Sequence, residues 1–140
     1  MGDNEAVGSV RSAVAAFNDG DVGGYIRSFD PSCLRWVAGV AQPLSLADVH
    51  DGLEKLQSAF EDLRLVDELL FGDQRFACAQ WRMRGRHVND YEGFAPMREV
   101  IDVATCEIYE VRDNRVVMTW TYGDLGQLFR QIAGEARGAS

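Results

Sequence analysis

Apolar positions along this chain recur with one period in the first half and another in the second. Val7, Val10, Val14 and Phe17 follow helical spacing and stop at Asn18-Asp19-Gly20, which predicts a first helix. Asp21 is placed to cap a short second helix through Val22, Tyr25, Ile26 and Phe29, and Asp30-Pro31 breaks it. Cys33 to Val40 reads as a short strand carrying Trp36. Beyond the Gln42-Pro43 loop, Val49, Leu53, Leu56, Phe60 and Leu63 make the longest helical stripe, with Ser45 or Asp48 as its cap.

The second half alternates like strands. Leu63 to Phe71 turns at Gly72-Asp73 into a long strand, Arg75 to His87, and a loop, residues 88–96, follows. A third strand, Glu99 to Val111, turns at Asp113-Asn114 into the strand Val116 to Asp124. Both junctions suit tight antiparallel hairpins. Leu125, Leu128, Phe129 and Ile132 predict a short closing helix, and residues 1–4 and 134–140 read as flexible ends. Helices first and long strands afterwards predict a single α+β domain over residues 1–140, its helices packed on one face of a curved antiparallel sheet.

Alternation also sorts the side chains of those strands into faces. Ala77, Ala79, Trp81, Met83, Gly85 and His87 share one face of the long strand, with Arg82, Arg84 and Arg86 on the other. In the last strand the same count puts Val116, Met118, Trp120, Tyr122 and Asp124 together. His87 and Asp124 thus end two apolar, Trp-bearing faces, as an acid/base pair at the rim of a greasy pocket requires. The plainer alternatives are a hydrogen-bonded structural His, an Asp that caps the following helix, and tryptophans that are simply core. In an apolar cavity, desolvation is expected to raise the pKa of Asp124 towards neutrality.

Composition narrows the partners. A net charge of -8 disfavours nucleic acid, and the short Arg82/Arg84/Arg86 row reads as a solvated or subunit-facing sheet surface. The start, MGDNEAVGSV, lacks the basic and apolar regions of a secretory signal, and no apolar run approaches membrane-spanning length. Cys33, Cys78 and Cys106 show no ligand spacing with His50 or His87, so no metal site is expected. A reduced, cytoplasmic protein is the reading that follows.

The stretch Gly85-Arg86-His87-Val88-Asn89-Asp90-Tyr91-Glu92-Gly93-Phe94-Ala95-Pro96 resembles the segment G-T-H-x-G-x-F-x-G-x-P-P-T-G of the SnoaL-like polyketide cyclases. These belong to the nuclear-transport-factor-2-like (cystatin-like) α+β cone superfamily. Trp120-Thr121-Tyr122-Gly123-Asp124, with Gln131-Ile132 seven residues on, is similar to that family's W-x-x-x-D and Q-L-G. The chain departs from the pattern where Met97 and Arg98 replace Thr-Gly and Asn89 replaces a Gly.

The resemblance implies a cone-shaped sheet with N-terminal helices around a deep apolar cavity, no cofactor, and a homo-oligomer (dimer or tetramer) built on the outer sheet surface. It implies catalysis by Asp124 as base and acid, with His87 as its orienting or oxyanion-side partner. The reaction implied is the intramolecular aldol closure of an anthracycline-type polyketide. Trp36, Trp81, Met83, Trp120 and Tyr122 are the expected contacts to a polycyclic aromatic substrate, and Arg98 is expected to reshape the entrance. The alternatives are a cofactor-free hydroxylase, a non-catalytic binding or assembly module of the same fold, and an epoxide hydrolase.

Overall fold

The computed structural model describes residues 5–124 and 126–134. The first helix, α1 (Glu5–Asn18), buries Val7, Val10, Val14 and Phe17 and lies across strands β3, β4 and β5 defined below. It ends where Gly20 takes a positive φ of 80°, a conformation that costs glycine nothing. Asp21 accepts the Gly24 N–H at 2.8 Å and caps α2 (Val22–Arg27) as expected. Strand β1 (Phe29–Val37) begins earlier than the sequence suggests, and Phe29 belongs to it rather than to α2.

A two-residue strand, β2 (Leu44–Ser45), leads into α3 (Leu46–Ala59). Ser45 is the cap: its hydroxyl accepts the Asp48 N–H while the Asp48 carboxylate accepts the Ser45 N–H, both at 3.1 Å. The sequence stripe runs on to Leu63, but the backbone is extended from Phe60 and β3 (Phe60–Gly72) begins there. Phe60 and Leu63 are buried all the same, as strand residues with an irregularity between them that puts Asp62 at a φ of 54°. A bulge of this kind mimics helical spacing in the sequence.

The remaining strands are β4 (Phe76–His87), β5 (Val100–Arg112) and β6 (Arg115–Tyr122), followed by α4 (Gln127–Ile132). Leu125, assigned to the closing helix from the sequence, lies outside the described residues, as do the ends read as flexible apart from Gly134. Asp113 and Asn114 both have positive φ, 50° and 63°, which is the two-residue hairpin that the sequence predicts. The six strands form one curved, unclosed sheet in the order β2-β1-β6-β5-β4-β3. Its pairings are antiparallel except for β1 and β6, which run parallel.

Side-chain amides complete the sheet where strands run out. The ladder between β5 and β6 stops at Cys106 and Tyr122, leaving the first half of β5 without a strand on that side. There Gln131 accepts the Asp102 N–H and donates to the Asp102 carbonyl, each at 2.8 Å. Gln127 does the same for Ala104, at 2.9 and 2.6 Å. At the edge strand β3, Asn18 pairs in this way with the Leu65 N–H and carbonyl, at 2.8 and 3.0 Å. Unpaired backbone groups inside a fold are costly, and these amides remove that cost. Asn18→Ala is expected to lower the unfolding free energy by about 1–3 kcal/mol in urea titration; no measurable loss would mean that water replaces the amide freely.

Candidate active site

The helices and the concave side of the sheet enclose a cavity of about 330 Å³. Leu53 and Leu56 from α3, Leu65 from β3, Met83 from β4, Val103 from β5 and Leu128 from α4 give it apolar walls. The size and lining fit a small organic ligand. Gly123 and Asp124, both exposed, stand at its rim.

One wall is polar. Arg35 of β1 and Glu107 of β5 line the cavity, with side chains only 14% and 9% exposed, and their charged groups lie 3.6 Å apart. Arg35 Nε donates to Thr119 Oγ1 at 3.2 Å and its Nη2 donates to the Tyr25 hydroxyl at 2.9 Å. Glu107 accepts from the Tyr109 hydroxyl at 2.7 Å and from Thr121 Oγ1 at 3.0 Å. Trp81 Nε1 in turn donates to Tyr109 at 3.2 Å. Burial alone would pull the Arg35 guanidinium down, but Tyr25, Glu107 and Tyr109 around it leave its pKa raised. Burial pushes the Tyr25 hydroxyl up, and the Tyr109 hydroxyl well up, so both stay protonated at neutral pH.

The residues named from the sequence separate into several environments. Asp124 lines the cavity rim, where it accepts the Gly126 N–H at 2.9 Å and bonds the Arg130 guanidinium. Its pKa is lowered, first by Arg130 and then by Gly126, because the group is solvated and paired rather than desolvated. That reverses the expected upward shift. His87 is on the concave side as alternation requires and is fully buried, but it does not line the cavity. Its ring stacks on Phe60 at 4.9 Å, and its Nδ1 accepts the Met97 N–H at 3.3 Å. The backbone of His87 also bonds Glu99 and Arg98, so this residue anchors the return of the loop after β4.

Met83 is the one expected apolar contact that lines the cavity. Trp81 faces inwards but is sealed in the core. Trp36, Trp120 and Tyr122 lie on the convex side, with Trp36 39% and Tyr122 48% exposed. For Trp120 and Tyr122 the cause is a bulge. Val111 pairs with Val116 and Glu110 with Met118, so Val117 is an extra residue that reverses the alternation of β6. Val116 therefore points inwards, and so do Thr119 and Thr121, while Trp120 and Tyr122 are turned out. Arg98 is exposed in the loop with a φ of 59°, so an arginine holds the left-handed conformation where the family pattern has glycine.

Arg35 and Glu107 were not among the residues singled out from the sequence. A signal exists: Glu107 interrupts the inward row Ile101, Val103, Thr105, Tyr109, Val111, and Arg35 sits between inward Cys33 and Val37. A charge at such a position needs a buried partner.

Residues 9–132 match the sequence model of a family described as SnoaL-like polyketide cyclase. No curated protein matches the chain in sequence. Among solved structures, AclR of Streptomyces galilaeus, provisionally described as a hydroxylase, superposes with a TM-score of 0.83 at 21% identity, covering 93% of this chain and 96% of AclR. IdmH of Streptomyces antibioticus, provisionally described as a polyketide cyclase, gives 0.77 at 20%, covering 91% and 98%. An epoxide hydrolase of the LEH-like type from M. tuberculosis gives 0.70 at 13%, covering 94% and 92%. At these identities the likeness is one of fold.

The pairing of Asp124 is open to direct measurement. Arg130→Met removes the first cause of its lowered pKa, so the carboxyl should titrate at higher pH, read by carbon-13 NMR of the side-chain carboxyl. An unmoved titration would show that Arg130 is not what holds the carboxylate. A depressed folded pKa stabilises the fold above the unfolded value, and that contribution is lost as pH falls through the folded one.

Proposed function

The chain belongs to the SnoaL-like polyketide cyclase family, and from that premise we propose that it closes a ring of a polycyclic aromatic polyketide, of anthracycline type, by a cofactor-independent intramolecular aldol reaction. The observation that carries this reading is a carboxylate, Asp124, on the rim of an unfilled apolar cavity whose opposite chemistry is a buried cation. Asp124 removes the proton alpha to a carbonyl, the resulting enolate carbon attacks the acceptor carbonyl, and the new alkoxide takes the proton back from Asp124. Arg130 and the Gly126 N–H keep the free enzyme's carboxylate ionised. A substrate ring covering the rim removes water from Asp124 and strengthens it as a base.

His87 acts in this scheme as a positioning residue, since it holds the loop around Met97 and Arg98 rather than facing the cavity. The convex apolar side chains, Trp36, Trp120 and Tyr122 among them, favour a homo-oligomer formed through that surface. A cytoplasmic setting belongs to the same reading, with Cys33, Cys78 and Cys106 kept as thiols. Among the described residues no helix is long and apolar enough to cross a membrane. Hydroxylation of the same substrate class is the second reading, favoured by the resemblance to AclR. It would need oxygen, whereas the aldol step does not.

Incubation with an uncyclised tricyclic polyketide ketone, with and without air, tests the proposal. Equal ring closure in both conditions is expected, and Asp124→Asn should lose about 100-fold or more in kcat with the fold intact. Turnover only in air would replace cyclisation by hydroxylation, and full activity of Asp124→Asn would remove Asp124 from the chemistry. Trp36→Glu is expected to shift the protein towards monomer in sedimentation; an unchanged mass would place the contact elsewhere.

A further inference from the structure

The polar wall of the cavity has more donors than its own hydrogen bonds consume. Glu107 accepts from Tyr109 on one oxygen and from Thr121 on the other. Arg35 spends Nε on Thr119 and one donor of Nη2 on Tyr25. Its Nη1 has no protein acceptor among the described residues, although Arg35 lines the cavity. Nη1 is also not sealed in the protein, because the fully buried, unpartnered side-chain nitrogen among the described residues is His87 Nε2. Tyr25 shows the same surplus: its oxygen accepts from Arg35, so its proton is left to donate, and Tyr25 also lines the cavity.

We propose that Arg35 and Tyr25 form an oxygen-binding subsite in the cavity, donating together to a ring carbonyl of the substrate or to the enolate or phenolate form of that oxygen. This rests on the reading of the cavity as a site for aromatic polyketides and names the feature by which it selects them. Both groups are donors here, so a carbonyl oxygen finds two hydrogen bonds that a bare hydrocarbon edge cannot accept. Glu107 cancels the formal charge of Arg35, which favours a neutral carbonyl or a delocalised oxyanion over a compact dianion such as phosphate. Donors fixed by Thr119 and Glu107 need no rearrangement as negative charge builds on the oxygen, the condition under which such groups accelerate enolate formation.

The side chains are well held for this task. Arg35 bridges β1 to β6 through Thr119, and Glu107 bridges β5 to β6 through Thr121. Tyr25 is fixed by ring contacts with Phe17 at 5.9 Å and Phe29 at 4.9 Å. A ligand oxygen therefore meets two donors whose positions are set by three strands and a helix.

Equilibrium dialysis with 9,10-anthraquinone and anthracene tests the subsite, because the two probes share a three-ring outline and differ in their oxygens. Wild-type protein is expected to bind the quinone at least about tenfold more tightly than the hydrocarbon. Tyr25→Phe should remove most of that preference while leaving anthracene binding within about twofold, and Arg35→Lys, which keeps the charge but loses the fork, should do likewise. Thermal unfolding checks the fold of each variant; if Arg35→Lys does not fold, Tyr25→Phe decides. Equal binding of the two probes by wild type, binding of neither, or equal losses for both in Tyr25→Phe overturns the subsite. Discrimination by a protein that never turns over a polyketide ketone would sink the cyclase reading alone, and turnover without discrimination would sink the subsite alone.

Discussion

The ion pair of Arg35 and Glu107 is the constraint around which the cavity is arranged. Two charges withdrawn from water are tolerable only if each finds its counter-charge and further hydrogen bonds. Here the requirement recruits Tyr25 from α2, Tyr109 from β5, and Thr119 and Thr121 from β6. The parallel pairing of β1 and β6 and the register of β5 on β6 must both be right for these contacts to form. Losing either charge would leave the other stranded, which typically costs about 3–5 kcal/mol. An apolar pair would pack the wall at less risk.

The carboxylate at the rim and the cation in the wall have opposite electrostatic settings. Asp124 is solvated and held in its ionised form by Arg130 and a backbone N–H. Arg35 is shielded and held in its ionised form by an internal carboxylate and two phenols. A base can be tuned by whatever covers it, while a buried donor is tuned in advance by the fold. His87 belongs to neither setting. It joins Phe60 and the loop after β4, and Tyr91 and Phe94 of that loop reach Phe129 of α4. That helix, α4, also carries the amides that complete β5 and places Leu128 in the wall.

How much of the site could be read from the chain depends on what each residue's placement rests on. The face of β4 was legible, and so was the position of His87 on it, because that strand alternates without interruption as far as its last residue. The face of β6 was not, and Asp124 reaches the rim from beyond that strand's last residue, Tyr122, rather than on a face shared with Trp120 and Tyr122. A bulge at Val117 leaves no mark in a row of Val, Met, Thr and Trp, yet it moves Trp120 and Tyr122 from the cavity to the convex surface.

By itself the sequence determined the order of the helices and long strands, the cap at Asp21, the Asp113-Asn114 hairpin and the α+β class, since each of these rests on neighbours a few residues apart. Family membership was likewise legible, from short motifs around His87 and Asp124. Only the tertiary structure decided which charges face the cavity, which tryptophans face outwards and whether His87 meets Asp124. Those outcomes depend on strand register and on contacts such as Arg35 with Thr119, 84 positions apart in the chain. Local propensity does not encode pairing at that distance; the energy of burying a charge with its partner does.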